Sequence, residues 1–274
     1  MSPEPQVAAF FDVDHTLIAC NSGRKWVEHL WRHGKISVGA ALRSVWWLVK
    51  YRMSVLDYEA VTREVVAGYA GQSVDELLRE IKAWFHAEIE PEICVEGRER
   101  VEWHRSQGHT LVLLTSGTFF SVEPLQQILA IPHLVCTQLE IAEGKLTGRY
   151  HPPSCFGPGK LAAGRIFAEQ RGIDMARSYF YTDSYSDVPM LLEVGEPRVI
   201  NPDPRLRRWA VQRGLVCEQW NPPAPKPAPG PAHEPSVAAD ADVPVPRDRL
   251  ESREDLEAFL DLKPPDLNSR NVKP

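Results

Sequence analysis

The sequence predicts an α/β protein: a doubly wound parallel sheet with an inserted all-helical segment and a disordered, proline-rich C-terminal tail. Three observations carry this reading. Short apolar runs, each the length of a buried strand, alternate with helical stretches and end in acidic or hydroxyl residues. Residues 22–90 show apolar positions at three- and four-residue spacing with no alternating run. Of the 24 prolines, 12 fall in the last 54 positions, which excludes a uniform single domain.

Taken in order, 7–11 is an apolar run that stops at Asp12 and reads as the first buried strand. The helical insert follows and breaks near Pro91–Gly97, after which a helix runs into Gln107-Gly108. Residues 110–114 form a second strand ending in Thr115-Ser116-Gly117. Residues 135–148 alternate and turn at Glu143-Gly144, which predicts a hairpin. A helix at 160–172 ends at Gly172, and the strand at 179–181 runs into TDSYSD. A short strand at 198–200, a helix at 205–213 and a last strand near Val216 complete the sheet. The expected division is a core of 1–21 and 96–220, an insert of 22–95, and a tail of 221–274.

Composition narrows the class. The chain is 274 residues long, 43% hydrophobic and 25% charged, enough to bury a core without metal or disulfide staples. A net charge of −6 argues against a nucleic-acid partner. Five widely spaced cysteines with no CxxC pair suit a reducing compartment. The first residues lack the basic, apolar pattern of a secretory signal, so the expected location is cytoplasmic. The longest apolar stretch, 36–49, has 14 residues and contains Arg43, too short and too charged to span a bilayer.

Chemistry gathers where the strands end. In open α/β sheets ligands bind beyond the carboxyl ends of the strands. Asp12 and Asp14 sit one residue apart after the first strand, so one can act as nucleophile while the other moves a proton. Ser116 offers a hydroxyl and its neighbours backbone donors, Lys160 a positive charge, and Asp183 and Asp187 two further carboxylates. Carboxylates that converge repel unless a hard cation lies between them, and Mg²⁺ prefers such oxygen ligands. Nucleophile, cation, lysine and donor nest together describe phosphoryl transfer. Taken singly, each has a plainer reading: a solvated turn for the Asp pair, a helix N-cap for Asp183 or Asp187, ordinary turn chemistry for Ser116. Lys160 opens a helix, where the macrodipole disfavours a cation, and that favours a functional reason for it.

DVDHT at 12–16, LLTSGT at 113–118, the lone Lys160 and YTDSYSD at 181–187 resemble, in order, the four motifs of the haloacid dehalogenase superfamily of phosphatases. The helical insert after the first motif and EGKLTG at 143–148 resemble its phosphoserine-phosphatase-like branch, subfamily IB. The resemblance covers roughly residues 7–217 and implies a Rossmann-like core under a helical cap. It further implies that Asp12 attacks phosphorus and that Asp14 protonates the leaving oxygen and then activates water. Ser116 and the Gly117 N–H would hold phosphoryl oxygens, with Lys160 offsetting their charge. Mg²⁺ would be bound by Asp12, Asp183 and the Asp14 carbonyl, with Asp187 behind them and Thr16 tying the first loop down. The implied partner is a small phosphorylated substrate.

Two departures matter. His15 replaces the small residue usual between the second Asp and Thr, and either shapes the leaving-group side or points at the insert. No acidic residue lies between Asp14 and Glu28, where phosphoserine phosphatases usually carry a glutamate, which counts against the alternative of phosphoserine phosphatase itself. Residues 24–52 hold seven Lys or Arg against Glu28, with Trp26, Trp31, Trp46 and Trp47. That pattern offers a second alternative, a membrane-associated binding or scaffold protein in weak peripheral contact with anionic lipid. The plainer reading, tryptophans as insert core and basic residues solvated or at the site's mouth, is the favoured one. The tail reads as an extended linker with one amphipathic helix at 248–262.

Overall fold

The computed structural model describes residues 6–36, 39 and 58–224, all within one contact unit, Met1–Pro225. Trp46, Trp47 and the helix expected at 248–262 lie outside the described residues. The described chain runs β1 (Ala8–Phe11), α1 (Ser22–Arg32), α2 (Tyr58–Ala67), α3 (Val74–Trp84), α4 (Val95–Ser106), β2 (Thr110–Thr118), α5 (Phe119–Ile128), β3 (His133–Thr137), β4 (Leu139–Ala142), β5 (Lys145–Tyr150), α6 (Pro158–Arg171), β6 (Tyr179–Thr182), α7 (Val188–Leu191), β7 (Glu196–Ile200), α8 (Pro204–Gln212) and β8 (Cys217–Glu218). Six strands form one sheet in the order β3-β2-β1-β6-β7-β8, every neighbouring pair parallel. The order reverses at β1, which places its carboxyl end at the topological switch point.

Strand alternation explains the two-sided core. Ala8 and Phe10 face Val112, Leu114 and Phe180 on one side, while Ala9 and Phe11 face Leu111, Leu113 and Tyr181 on the other. Both faces are apolar because helices cover both, as a parallel sheet requires. The second face continues into the insert: Leu77, Ile81 and Trp84 of α3, with Phe85 and Ile89 of the following π turn, belong to the same buried cluster as Phe11. The insert is therefore seated on the sheet's core. Among the described residues no helix is long and apolar enough to cross a membrane.

Three elements differ from the sequence expectation. The hairpin turns at Glu143-Gly144 as expected, but only β4 and β5 form it, whereas 133–137 joins the main sheet as edge strand β3. Helix α5 was not among the expected elements; Pro124 stands inside it, and Thr118 and Ser121 form a capping box that fixes its first turn. The last strand is Cys217–Glu218, one residue beyond Val216, which is exposed. Helix α6 ends where predicted, with Gly172 in the left-handed conformation at φ 64°.

Beneath β1 and β6, His104 of α4 is fully buried, its Nε2 2.8 Å from the Tyr181 hydroxyl and its Nδ1 2.7 Å from His109 Nδ1. Burial lowers its pKa from 6.5 to about 3, and the neighbouring His109 pushes the same way. The unfolded chain takes up this proton near pH 6.5 and the folded chain only near 3, so acidification through that window costs stability. Between pH 7 and 4 the wild type should lose about 2 kcal/mol more unfolding free energy than His104→Gln, allowing for screening. Urea titrations at both pH values measure this, and parallel losses would contradict it.

Candidate active site

The loop after β1 is knotted by its own backbone. The Asp12 N–H donates to the Tyr181 carbonyl at 2.9 Å, the last rung before the strands diverge. The Thr16 and Ile18 N–H groups both donate to the Val13 carbonyl at 3.2 and 3.1 Å, and the His15 N–H to the Cys20 carbonyl. This tight course holds His15 at φ 53°, where glycine is at ease and a side chain is strained. The His15 side chain is exposed, while its carbonyl accepts from Asn201 Nδ2 at 3.0 Å. Asn201 also binds the Trp220 backbone in both directions, so it ties this loop to the end of the described fold. The Thr16 hydroxyl is buried without a hydrogen-bond partner among the described residues, and its backbone N–H makes the bond that ties the loop.

Lys160 is 2% exposed in the first turn of α6, where the helix dipole opposes its charge. Two carboxylates offset that: Nζ lies 3.1 Å from Asp12 Oδ1 and 2.6 Å from Asp187 Oδ2. Thr182 at the end of β6 donates to the same Asp187 oxygen at 2.7 Å, fixing the carboxylate. The other oxygen, Asp187 Oδ1, is buried with no partner. Asp187 does not cap α7 with its side chain, so the alternative N-cap reading fails and the lysine claims it. Burial alone would depress the lysine, but Asp12 and Asp187 raise its pKa above the usual value, so it stays charged.

One cation does not balance this site. Burial raises Asp12 to about 7 although Lys160 pulls it down, and Asp187 pushes it further up. Asp183 is raised well above the usual carboxylate range by burial, then by Asp12 and Asp187. Asp183 is held through its carbonyl, which accepts from the Asp203 N–H at 2.8 Å, while the Asp203 side chain accepts from the Tyr185 N–H at 2.7 Å. Among the described residues no three His, Cys, Asp or Glu side chains form a metal cluster by themselves. The set expected for a metal has two side-chain carboxylates and one carbonyl, and hard, charge-strained oxygen donors of this kind suit Mg²⁺.

Asp14 occupies a different environment two residues on. Its Oδ1 accepts the Ser22 N–H at 3.0 Å, the first residue of α1, whose N-cap is Asn21. Burial raises its pKa, with the Ser22 contacts pulling the other way. The two carboxylates of one strand end thus differ: Asp12 faces a lysine, Asp14 a helix N-terminus.

On the other side of β1, strand β2 is irregular where its motif lies. Leu114 pairs with Val135 and Thr118 with Thr137, so four steps on β2 oppose two on β3. The irregularity turns out residues 115–117. The Ser116 carbonyl accepts from Thr137 Oγ1 at 2.9 Å. The Gly117 N–H, expected to face phosphoryl oxygens, here donates to Thr115 Oγ1 at 3.2 Å. A Cβ on Gly117 would stand 3.0 Å from Ser121 Oγ, so this turn admits little else.

The structure joins Asp12, Lys160 and Asp187 by direct contact and sets Asp14, Asp183 and Ser116 around them. Sequence reading missed Tyr58, Thr182 and Asn201. Thr182, adjacent to Asp183 in the motif, carried a signal by position; the other two act through tertiary contact. In the insert, each described Lys or Arg of 24–36 meets a glutamate: Arg24 with Glu28 at 2.7 Å, Lys25 with Glu92 at 2.8 Å, Lys35 with Glu80 at 2.7 Å, and Arg32 with Glu88. Trp26 stacks on His29 and donates to the Tyr69 hydroxyl at 2.8 Å. Of the residues that carried the lipid-facing alternative, Trp46 and Trp47 lie outside the described residues.

The charge arrangement makes a prediction for folding. Replacing Lys160 by Met leaves two buried carboxylates unpaired, which should cost about 3–5 kcal/mol at pH 7 in chelator-treated buffer. The loss should shrink at pH 5, because the unpaired carboxylates take up protons more readily folded than unfolded. Denaturation midpoints at the two pH values test this; a variant as stable as wild type at pH 7 would contradict it.

Comparison with known proteins agrees with this geometry. The family profile described as haloacid dehalogenase-like hydrolase matches residues 9–192. The chain is 33% identical over 217 residues to the inhibition of morphological differentiation protein of Streptomyces azureus, covering 77% of each. It is 31% identical to a phosphoserine phosphatase of Mycobacterium tuberculosis, covering 76% of this chain and 68% of that one. A histidinol-phosphatase of Neisseria meningitidis is 28% identical, covering 75% and 95%. A Bordetella pertussis protein of unknown function superposes with a TM-score of 0.72 at 29% identity, covering 78% of this chain and 98% of that one. A phosphoserine phosphatase solved with a phospho-aspartyl intermediate analogue shares the fold at a TM-score of 0.56 and 17% identity, covering 78% and 94%. With motif order, strand-end placement and these likenesses together, the chain belongs to the haloacid dehalogenase-like hydrolase family and is a phosphatase.

Proposed function

We propose that this phosphatase hydrolyses a small phosphorylated metabolite through an aspartyl-phosphate on Asp12, with Mg²⁺ as its metal and 22–95 acting as a cap over the site. The observation that carries the reading is Lys160, buried and held at 3.1 Å from Asp12 and 2.6 Å from Asp187. A charge fixed there favours the Asp12 anion against the burial that raises its pKa to about 7. Asp12 attacks phosphorus while the bond to the leaving oxygen breaks, and Asp14 gives that oxygen a proton. Asp14 then takes a proton from water as the water attacks phosphorus, the Asp12–phosphorus bond breaks, and inorganic phosphate leaves. Asp12, Asp183 and the Asp14 carbonyl would hold Mg²⁺, which offsets charge on the phosphoryl oxygens when bound. Ser116, the 116–118 backbone and Lys160 hold those oxygens, Asp187 positions Lys160, and Thr16 lies beneath the loop.

The substrate is read only as a class. Phosphoserine is the alternative, supported by the similarity to enzymes of that name. Against it, the nearest acidic side chain after Asp14 in the chain, Glu28, is engaged by Arg24 at 2.7 Å. A panel of phosphorylated metabolites including phosphoserine and histidinol phosphate, assayed by phosphate release with Mg²⁺, discriminates among them.

The mechanism makes two further predictions. Asp12→Asn should reduce turnover of an aryl phosphate to background, and EDTA should silence the wild type until Mg²⁺ is restored; substantial turnover by the variant would overturn the nucleophile. Asp14→Asn should slow alkyl phosphates by about 10²–10⁴-fold. An aryl phosphate, whose leaving group needs no proton, should still show a burst of phenol release before stalling at the phosphoenzyme. A variant with equal losses in the burst and steady state on both substrates would contradict the assigned proton transfer.

A further inference from the structure

Directly after β7 the chain reads Asn201-Pro202-Asp203-Pro204, a segment outside all four motifs, and it reaches two loops of the site at once. Asn201 Nδ2 donates to the His15 carbonyl at 3.0 Å. Two residues on, the Asp203 N–H donates to the Asp183 carbonyl at 2.8 Å, and Asp203 Oδ2 accepts the Tyr185 N–H at 2.7 Å. The loop after β1 and the loop after β6 are thus held from one short stretch of backbone. That stretch is itself stiff. Proline rings fix φ at 202 and 204. The Asn201 N–H donates to the Glu218 carbonyl at 2.9 Å, and its side chain bonds the Trp220 backbone. Asp203 Oδ1 accepts the Arg205 and Leu206 N–H groups, both at 2.8 Å, as the N-cap of α8. The Arg205 guanidinium lies 4.5 Å from the Tyr185 ring centroid, a second tie to the same loop.

These two loops carry the oxygens assigned to Mg²⁺. The Asp14 carbonyl belongs to the peptide group that leads into His15, and His15 is held at φ 53°, a strained conformation for a side chain. A bond to the His15 carbonyl helps to keep the peptide before it in place. Asp183 is fixed by its own carbonyl and, two residues on, by the Tyr185 N–H, so its side chain leaves from a backbone anchored on both sides of Ser184. Residues that fix the direction of a metal's ligands alter its affinity without touching it. We propose that Asn201 and Asp203 are positioning residues for the metal: the 201–203 segment is a brace that sets the spacing between the Asp14 carbonyl and the Asp183 carboxylate. The brace deepens the Mg²⁺-dependent phosphatase reading above and rests on it.

Titration calorimetry of Mg²⁺ into chelator-stripped, full-length protein, without substrate, reads the brace apart from catalysis. Asp203→Asn keeps an acceptor for the α8 cap but cannot accept at both ends, so the Tyr185 N–H is released. Asn201→Gly removes the side chain and leaves a backbone suited to φ 43°. Each should weaken Mg²⁺ about 10-fold and raise the Mg²⁺ concentration for half-maximal turnover by the same factor. At saturating Mg²⁺, kcat should fall less than the affinity does. Wild-type affinity in Asn201→Gly, even with weakening in Asp203→Asn, would mark a charge effect and overturn the brace. A fall in kcat with Mg²⁺ affinity unchanged would overturn it as well. Should Asn201→Gly not fold, Asp203→Glu takes its place, since it keeps the charge and displaces the carboxylate. Weakened binding by that variant supports the brace, and wild-type binding overturns it. A wild-type protein that binds no Mg²⁺ and works in EDTA overturns the metal assignment and the brace together. A wild type that binds Mg²⁺, beside variants that bind it equally well, overturns the brace alone.

Discussion

A single buried ammonium group organises this molecule's functional end. Lys160 sits where its own helix disfavours it, and two carboxylates from separate strand ends draw it in. Removing either carboxylate's partner would leave a charge in a region from which water is largely excluded, a cost of several kcal/mol. The loops after β1 and β6 and the start of α6 therefore have one mutually consistent arrangement. The sheet fixes the strand ends, Thr182 fixes Asp187, and the backbone knot of 13–20 fixes Asp12. What remains is a penalty on ionising Asp12 and Asp183 together, set by burial and by their mutual repulsion.

Much of this was legible in the chain, and the reasons are physical. β1, β2 and β6 were visible because buried parallel strands are short apolar runs, and Asp12, Asp14, Ser116 and Asp183 were visible because they interrupt those runs. Lys160 stood out as a cation where a helix begins. The expected second role of Asp187 took a definite form only with coordinates, since its lysine partner lies 27 residues away in sequence. The contacts that escaped are those between elements distant in sequence. Asn201 reaches His15 across 186 residues and Tyr58 stacks on Phe156 from the insert, and neither pairing leaves a periodic trace. Helix α5 carries Pro124 in its interior, and the capping box at Thr118 and Ser121 marks its start.

The insert is more than a lid laid on a finished core. Its α3 and π turn share the buried cluster of Phe11 and Tyr181, and its α1 presents the Ser22 N–H to Asp14. Its basic residues Lys25, Arg32 and Lys35, part of the pattern that in sequence suggested a lipid-facing surface, pair with Glu92, Glu88 and Glu80 of the same insert. Ion pairing between insert helices thus accounts for the described part of that charge pattern. The environment of Asp14 thus depends on a segment that arrives from outside the sheet.

The central claim is that Lys160 holds Asp12 as the anion that takes the phosphoryl group. Acid quench during turnover with Mg²⁺, followed by borohydride reduction and peptide mass spectrometry, reads the acceptor directly, because an acyl phosphate on aspartate is reduced to homoserine. The account predicts homoserine at position 12 in wild type and none in Asp12→Asn. Homoserine at position 14 or 183, phosphate retained on Ser116, or no modified peptide during active turnover would contradict it.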